Sequence, residues 1–310
     1  MNTILTGLTF VQSCRAMLRK LIVQIFACAI VLTLGSFAIG ALLTGPAPSA
    51  VGTLSVDFPV ESIQIPAATT GATVHGWLSH GKPGYGIVLL VHSMRSNRLE
   101  MLSRARFLTS QGYTVFLIDL HAHGESSGDR ITFGLLESES VAAAVTYLHH
   151  TFPHERIGAI GVSLGAAAIV LVKQDLKLHA VILESLHPTV EEAIDNRLKL
   201  HFGSYGSMLL PLMLAQLSFY LDVSIETLSP ISRIGQLDTP VLFIAGTHDA
   251  HTTRSETERL YDAAQSPKAL WIVPGAGHFN MHSYAGKAYE RQVTDFLSKY
   301  LRPSKHSSLQ

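Results

Sequence analysis

The sequence predicts a mostly parallel α/β sheet covered by helices on both faces, and three observations carry that expectation. Short runs rich in Val, Ile and Leu alternate with helix-length segments through most of the 310 residues. Between one such run (residues 157–160) and an alanine-rich run (residues 166–172) stands Gly161-Val162-Ser163-Leu164-Gly165. Ahead of all this, residues 21–45 carry no charge. Strand–helix alternation implies a parallel sheet with right-handed crossovers. A serine at the apex of a strand–turn–helix is the pattern of a nucleophile elbow. The uncharged segment is set apart as an extension.

Taken in chain order, the extension comes first. Residues 21–45 have Gln24, Thr33, Ser36 and Thr44 as their clearly polar members, and are long enough to span a bilayer. Arg15, Arg19 and Lys20 precede them and the next Lys or Arg is Lys82, so residues 1–20 are expected in the cytoplasm and the rest outside. The competing reading is a secretory signal cleaved near Ala47-Pro48-Ser49-Ala50, but its apolar core would far exceed the usual ~7–15 residues. A linker at 46–53 follows, then a domain over 54–303 and a tail at 304–310.

Eight strands are expected in that domain, at 54–58, 73–79, 87–92, 114–118, 157–162, 181–184, 241–245 and 270–273. Near-continuous apolar runs suit strands buried on both faces. An insertion at about 187–228 interrupts the alternation and is expected to form a helical cap. Its apolar stretch, 208–221, is too short to cross a membrane. It is either a buried cap helix or a face offered to lipid or acyl chains, and both readings place an apolar pocket beneath it.

Composition narrows the partners. Lys plus Arg equal Asp plus Glu at 23 each, so no net field draws the chain to nucleic acid. Cys14 and Cys28 both precede the domain, which therefore has no disulfide of its own. His121-x-His123 has no third ligand at metal-site spacing, so neither metal nor cofactor is expected.

Chemistry on such a sheet sits at the carboxyl ends of strands. Ser163 is the candidate nucleophile. A serine hydroxyl needs an imidazole to take its proton, and His278 follows the last expected strand. Asp249 follows the seventh and would hold that imidazole in the required tautomer. The chain order Ser163, Asp249, His278 is the one expected for an elbow-bearing sheet. Two backbone N–H groups are expected to hold the oxyanion: Leu164, at the start of the helix after the serine, and Met94, in the loop after the third strand.

With these residues in place the chain resembles the α/β-hydrolases, over about residues 55–301. It is similar to the serine hydrolase branch with small esterases, monoglyceride-lipase-like and dienelactone-hydrolase-like enzymes and S33-type aminopeptidases. Leu90-Val91-His92-Ser93 has serine where members carry glycine after the histidine. Asp119-Leu120-His121-Ala122-His123-Gly124-Glu125-Ser126 matches their Asp-x-Arg-Gly-His-Gly-x-Ser, with His121 for Arg and Ala122 for Gly. Thr132-Phe133-Gly134 followed by Glu137 matches a further loop pattern.

The resemblance implies an α/β-hydrolase fold and a carboxylic ester hydrolase working through an acyl-enzyme on Ser163. The substrate is expected to be a small ester with an apolar acyl group. Acyl transfer and an S33-type peptidase use the same triad, and a non-catalytic anchored binding protein is the alternative of another class.

Overall fold

The computed structural model describes residues 2–52 and 58–302. Eight strands form one sheet: β1 (Glu61–Pro66), β2 (Thr73–Ser79), β3 (Ile87–Val91), β4 (Thr114–Ile118), β5 (Ile157–Val162), β6 (Ala180–Glu184), β7 (Val241–Gly246) and β8 (Lys268–Val273). Their spatial order is β8-β7-β6-β5-β3-β4-β2-β1. Only the β1–β2 and β2–β4 pairs are antiparallel. From β3 to β7 every strand residue is buried, because helices cover both faces.

The strand expected at 54–58 falls, apart from Phe58, which sits in a bend, outside the described residues. Among the described residues the sheet begins at β1, a strand that the sequence pattern did not mark and whose sequence Glu-Ser-Ile-Gln-Ile-Pro alternates polar and apolar. It is an edge strand with one side in water, so it lacks the apolar run that marks the central strands.

The helices are α1 (Asn2–Thr44), α2 (Leu102–Ser110), α3 (Glu137–Thr151), α4 (Leu164–Leu171), α5 (Val190–Phe202), α6 (Leu210–Leu221), α7 (Ile231–Ile234), α8 (Arg254–Ala263), α9 (Met281–Ala285) and α10 (Lys287–Leu301). Two apolar clusters lie on opposite faces of the sheet, one including Leu89, Ile118 and Ala167, the other Val88, Leu117 and Val293. A third belongs to the cap, where Val190, Ile194 and Leu198 of α5 meet Met213, Leu217 and Leu221 of α6. The apolar stretch expected as a buried cap helix is only half so. α6 buries Met213, Gln216, Leu217 and Leu221, while Phe219 is 75% exposed.

Residues Met17–Thr44 of α1 have a mean hydropathy of 2.3 and are long and apolar enough to cross a membrane, a test that a signal sequence also passes. The segment after α1 is tied down rather than loose. Ala47–Pro48 pairs with His123–Gly124, and Ser49 N–H donates to the Gly124 carbonyl at 2.9 Å.

Candidate active site

β5 delivers its last residue, Val162, beside Glu184 of β6; Glu184 lies beside Ile244 of β7, and Gly246 of β7 beside Val273 of β8. Ser163, Ser185, Asp249 and His278 therefore all leave the sheet at one carboxyl edge. Ser163 has φ 50° and ψ −106°, a left-handed conformation costly for a residue with a Cβ. Its N–H donates to the Glu184 carbonyl at 2.8 Å, and its own carbonyl accepts from Ala167 at 3.0 Å. The turn leaves no room beside it. A Cβ on Gly161 would stand 2.6 Å from the Ala166 nitrogen, and one on Gly165 2.5 Å from the Val91 carbonyl oxygen. Both glycines of the motif are thus required by the fold.

The acid and the imidazole meet in two loops knitted together by His248 N–H donating to the Ala276 carbonyl at 2.8 Å. His278 Nδ1 lies 2.9 Å from Asp249 Oδ2 and 3.1 Å from Oδ1. A carboxylate only accepts, so Nδ1 carries the proton in this contact. Asp249 also accepts from the N–H groups of His251 and Thr252, each at 2.9 Å, and from Ser185 Oγ at 3.0 Å. Burial pushes its pKa up, but the His278 hydrogen bond and charge, with those further donors, outweigh burial and hold it below the usual carboxylate value. Asp249 stays ionised.

Leu164 opens α4, where the first N–H groups of a helix have no partner within it. Met94 lies beyond β3, which is paired with β5, and it packs against both the main core and the cap cluster. Serine in place of glycine at position 93 has a local use. Its N–H and hydroxyl both donate to Glu100 Oε2, at 2.9 and 2.8 Å, which pins the loop that presents Met94.

The other family-like segments prove to be scaffolding. His92 Nε2 accepts from Leu120 N–H at 3.0 Å while Nδ1 donates to the Ser93 carbonyl at 2.7 Å, and burial lowers its pKa to about 4. His123, with its ring centroid 5.2 Å from that of His92, is likewise lowered to about 4 by burial first and by His92 second. Asp119 accepts from the N–H groups of Arg98 and Glu125, at 2.7 and 2.9 Å, and pairs with the buried Arg98 guanidinium. A Cβ on Gly124 would strike Asp119 at 2.3 Å. Glu137 gathers Thr132 N–H, the Thr132 hydroxyl and Gly134 N–H, at 2.8, 2.6 and 2.8 Å.

Sequence reasoning missed several neighbours of the site. Ser185 holds the same position after β6 that Ser163 holds after β5, a signal that could have found it. The His251 ring stacks 4.9 Å from that of His278. Below the elbow, Glu184 accepts from Arg104 Nε at 3.1 Å, Arg104 Nη2 at 2.5 Å and Tyr289 OH at 2.6 Å, all fully buried. No local pattern announces that trio, because its members stand 80 and 105 residues from Glu184.

The strained serine after β5 and the aspartate–histidine pair in the loops after β7 and β8 leave the same edge of the sheet. The alpha/beta hydrolase family model matches residues 73–292, and the chain belongs to that family. The uncharacterised protein YqkD of Bacillus subtilis is 26% identical over 214 residues, covering 68% of this chain and 70% of YqkD. YfhR of Escherichia coli K12, also uncharacterised, is 26% identical over 253 residues, covering 78% and 82%. The esterase Pf2001 of Pyrococcus furiosus shares the fold with a TM-score of 0.68 and 21% identity, over 83% of this chain and 98% of the esterase.

Proposed function

We propose that this protein is a membrane-anchored serine hydrolase of carboxylic esters. Residues 1–20 lie in the cytoplasm, residues 21–45 cross the bilayer, and the catalytic domain stands on the extracytoplasmic side. Ser163 Oγ attacks the acyl carbon as His278 Nε2 takes the hydroxyl proton. The resulting imidazolium is stabilised by Asp249, and the oxyanion by the N–H groups of Leu164 and Met94. Collapse breaks the ester C–O bond, and the departing alkoxide takes the proton from His278. Water, deprotonated by the same nitrogen, then attacks the acyl-enzyme, and Ser163 leaves with the proton and releases the acid. No metal or cofactor enters these steps.

The observation that carries the reading is the 2.9 Å His278–Asp249 contact on the strand edge that also presents the strained Ser163. The test is hydrolysis of p-nitrophenyl esters, from acetate to palmitate, by the full chain in detergent. Ser163→Ala and His278→Ala are each expected to lower kcat by about 10³-fold or more. Unchanged turnover in Ser163→Ala would exclude the assignment.

A further inference from the structure

The catalytic edge leaves one large feature unexplained. Leu200, Phe202, Tyr205, Met208 and Phe219 are between 50% and 80% exposed, all on the cap. Five large apolar side chains exposed within twenty residues of one insertion call for a partner. None of these side chains belongs to the cap cluster.

The same cap is bound to α1. Among the described side chains of α1, three positions one helical turn apart, Ser36, Gly40 and Thr44, are the buried ones. Small residues at that spacing let helices approach closely in lipid. α6 makes the approach: Gln216 Nε2 donates to Ser36 Oγ at 2.5 Å, and Tyr220 OH to the Phe37 carbonyl at 3.1 Å. A Cβ on Gly40 would stand 3.0 Å from the Tyr220 ring. Phe37 meets Phe219 edge-on, with centroids 6.5 Å apart, so the exposed cap surface continues directly into the side of α1.

Depth follows from length. Crossing the ~30 Å hydrocarbon layer takes about 20 residues at ~1.5 Å each. Counted from the residue after Lys20, that distance ends near Gly40. Phe37 then lies at the far boundary of the hydrocarbon, and Phe219 lies there with it. Two cations stand beyond that level: Arg95 donates to the Leu42 carbonyl at 2.8 Å, and Arg130 to the Tyr220 carbonyl at 2.7 Å. Apolar and aromatic groups at the boundary with arginines above them is the arrangement of an interfacial anchor.

The cap is also the neighbour of the site. Met94 packs against its cluster, and Asn196 of α5 donates to the His251 carbonyl at 3.3 Å and to Glu256 at 2.8 Å. We infer that the cap is seated in the lipid interface where α1 leaves the bilayer, with Leu200, Phe202, Tyr205, Met208 and Phe219 in contact with lipid. The site then takes amphiphilic, long-chain esters from the membrane rather than from solution. This rests on the reading of residues 21–45 as a retained span.

Tryptophan fluorescence of the full chain in phosphatidylcholine vesicles with brominated acyl chains tests it, with the signal of Trp77 and Trp271 subtracted. Phe26→Trp reports the span, Met208→Trp and Phe219→Trp the cap, and Lys299→Trp on α10 is the aqueous control. Quenching at positions 26, 208 and 219 at least twice that at 299 is expected. Quenching at 26 with 208 and 219 at the control level overturns the cap proposal and leaves the anchor standing. No quenching at any of the three overturns both. Burial of position 219 against a second copy, seen as cross-linked dimers without quenching, would assign the face to self-association instead.

In the same vesicles, Tyr205→Ser combined with Met208→Ser and Phe219→Ser is expected to slow a bilayer-embedded palmitate ester about tenfold while leaving soluble p-nitrophenyl acetate unchanged. Equal effects on the two substrates would contradict delivery from lipid.

Discussion

Helices α4 and α6 are both uncharged and rich in apolar residues, yet one is wholly buried and the other is not. All eight residues of α4 are buried, pressed against the sheet so closely that a Cβ on Gly165 would stand 2.5 Å from the Val91 carbonyl oxygen and 2.6 Å from that of His92. α6 buries four residues of its twelve, against α5 and α1, and leaves Phe219 in the open. Apolar composition therefore does not determine environment; what the neighbouring elements cover does. α4 belongs to a region held by buried polar pairs and tight backbone contacts. α6 belongs to one whose remaining apolar face the chain leaves exposed.

The sharpest way to break this comparison is substitution on each side of it. Glu184→Ala strands the fully buried Arg104 beneath the elbow and is expected to cost about 3–5 kcal/mol in denaturant unfolding. Phe219→Ser in the same detergent-solubilised protein is expected to change stability by less than about 0.5 kcal/mol. Similar losses from both would mean that α6 is part of the core after all.

Acid sharpens the same contrast with a smaller effect. Burial lowers the pKa values of His92 and His123, beyond the carboxyl ends of β3 and β4, to about 4, while an unfolded histidine titrates near 6.5. Between those values the unfolded chain binds protons that the folded one refuses, so stability falls as pH drops from about 6.5 towards 4. Their ring centroids lie 5.2 Å apart, so the loss belongs to the pair rather than to either histidine alone. Asp249, held below its usual value, adds a loss in the same direction as pH falls further. Thermal melts at pH 7 and pH 5 check this, and His92→Gln is expected to reduce the difference. A Tm that does not fall at pH 5 would contradict it.

The legible parts of this molecule are those where one local pattern has one physical meaning. Central strands covered on both faces must be apolar throughout, so the five from β3 to β7 could be located from their runs. The elbow needs small residues on either side of Ser163, and Asp249 and His278 follow strands as the sheet's chemistry requires. β1 was missed because an edge strand alternates and resembles a loop. Position 93 looked like a departure from the family pattern, since its bond to Glu100 closes across a turn that spacing alone does not show. The Arg104–Glu184–Tyr289 trio is assembled only by folding. The 208–221 run had two meanings from the start, and the half-buried α6 gives part of each.

The central claim is that Ser163 is an activated nucleophile, and covalent labelling tests it most directly. The folded full-length protein would be treated with a fluorophosphonate probe and the modified residue located by peptide mass spectrometry. Modification at Ser163, absent in Ser163→Ala and slowed in Asp249→Asn, is the expected result. A folded protein that takes no label, or takes it on a different serine, would contradict the account.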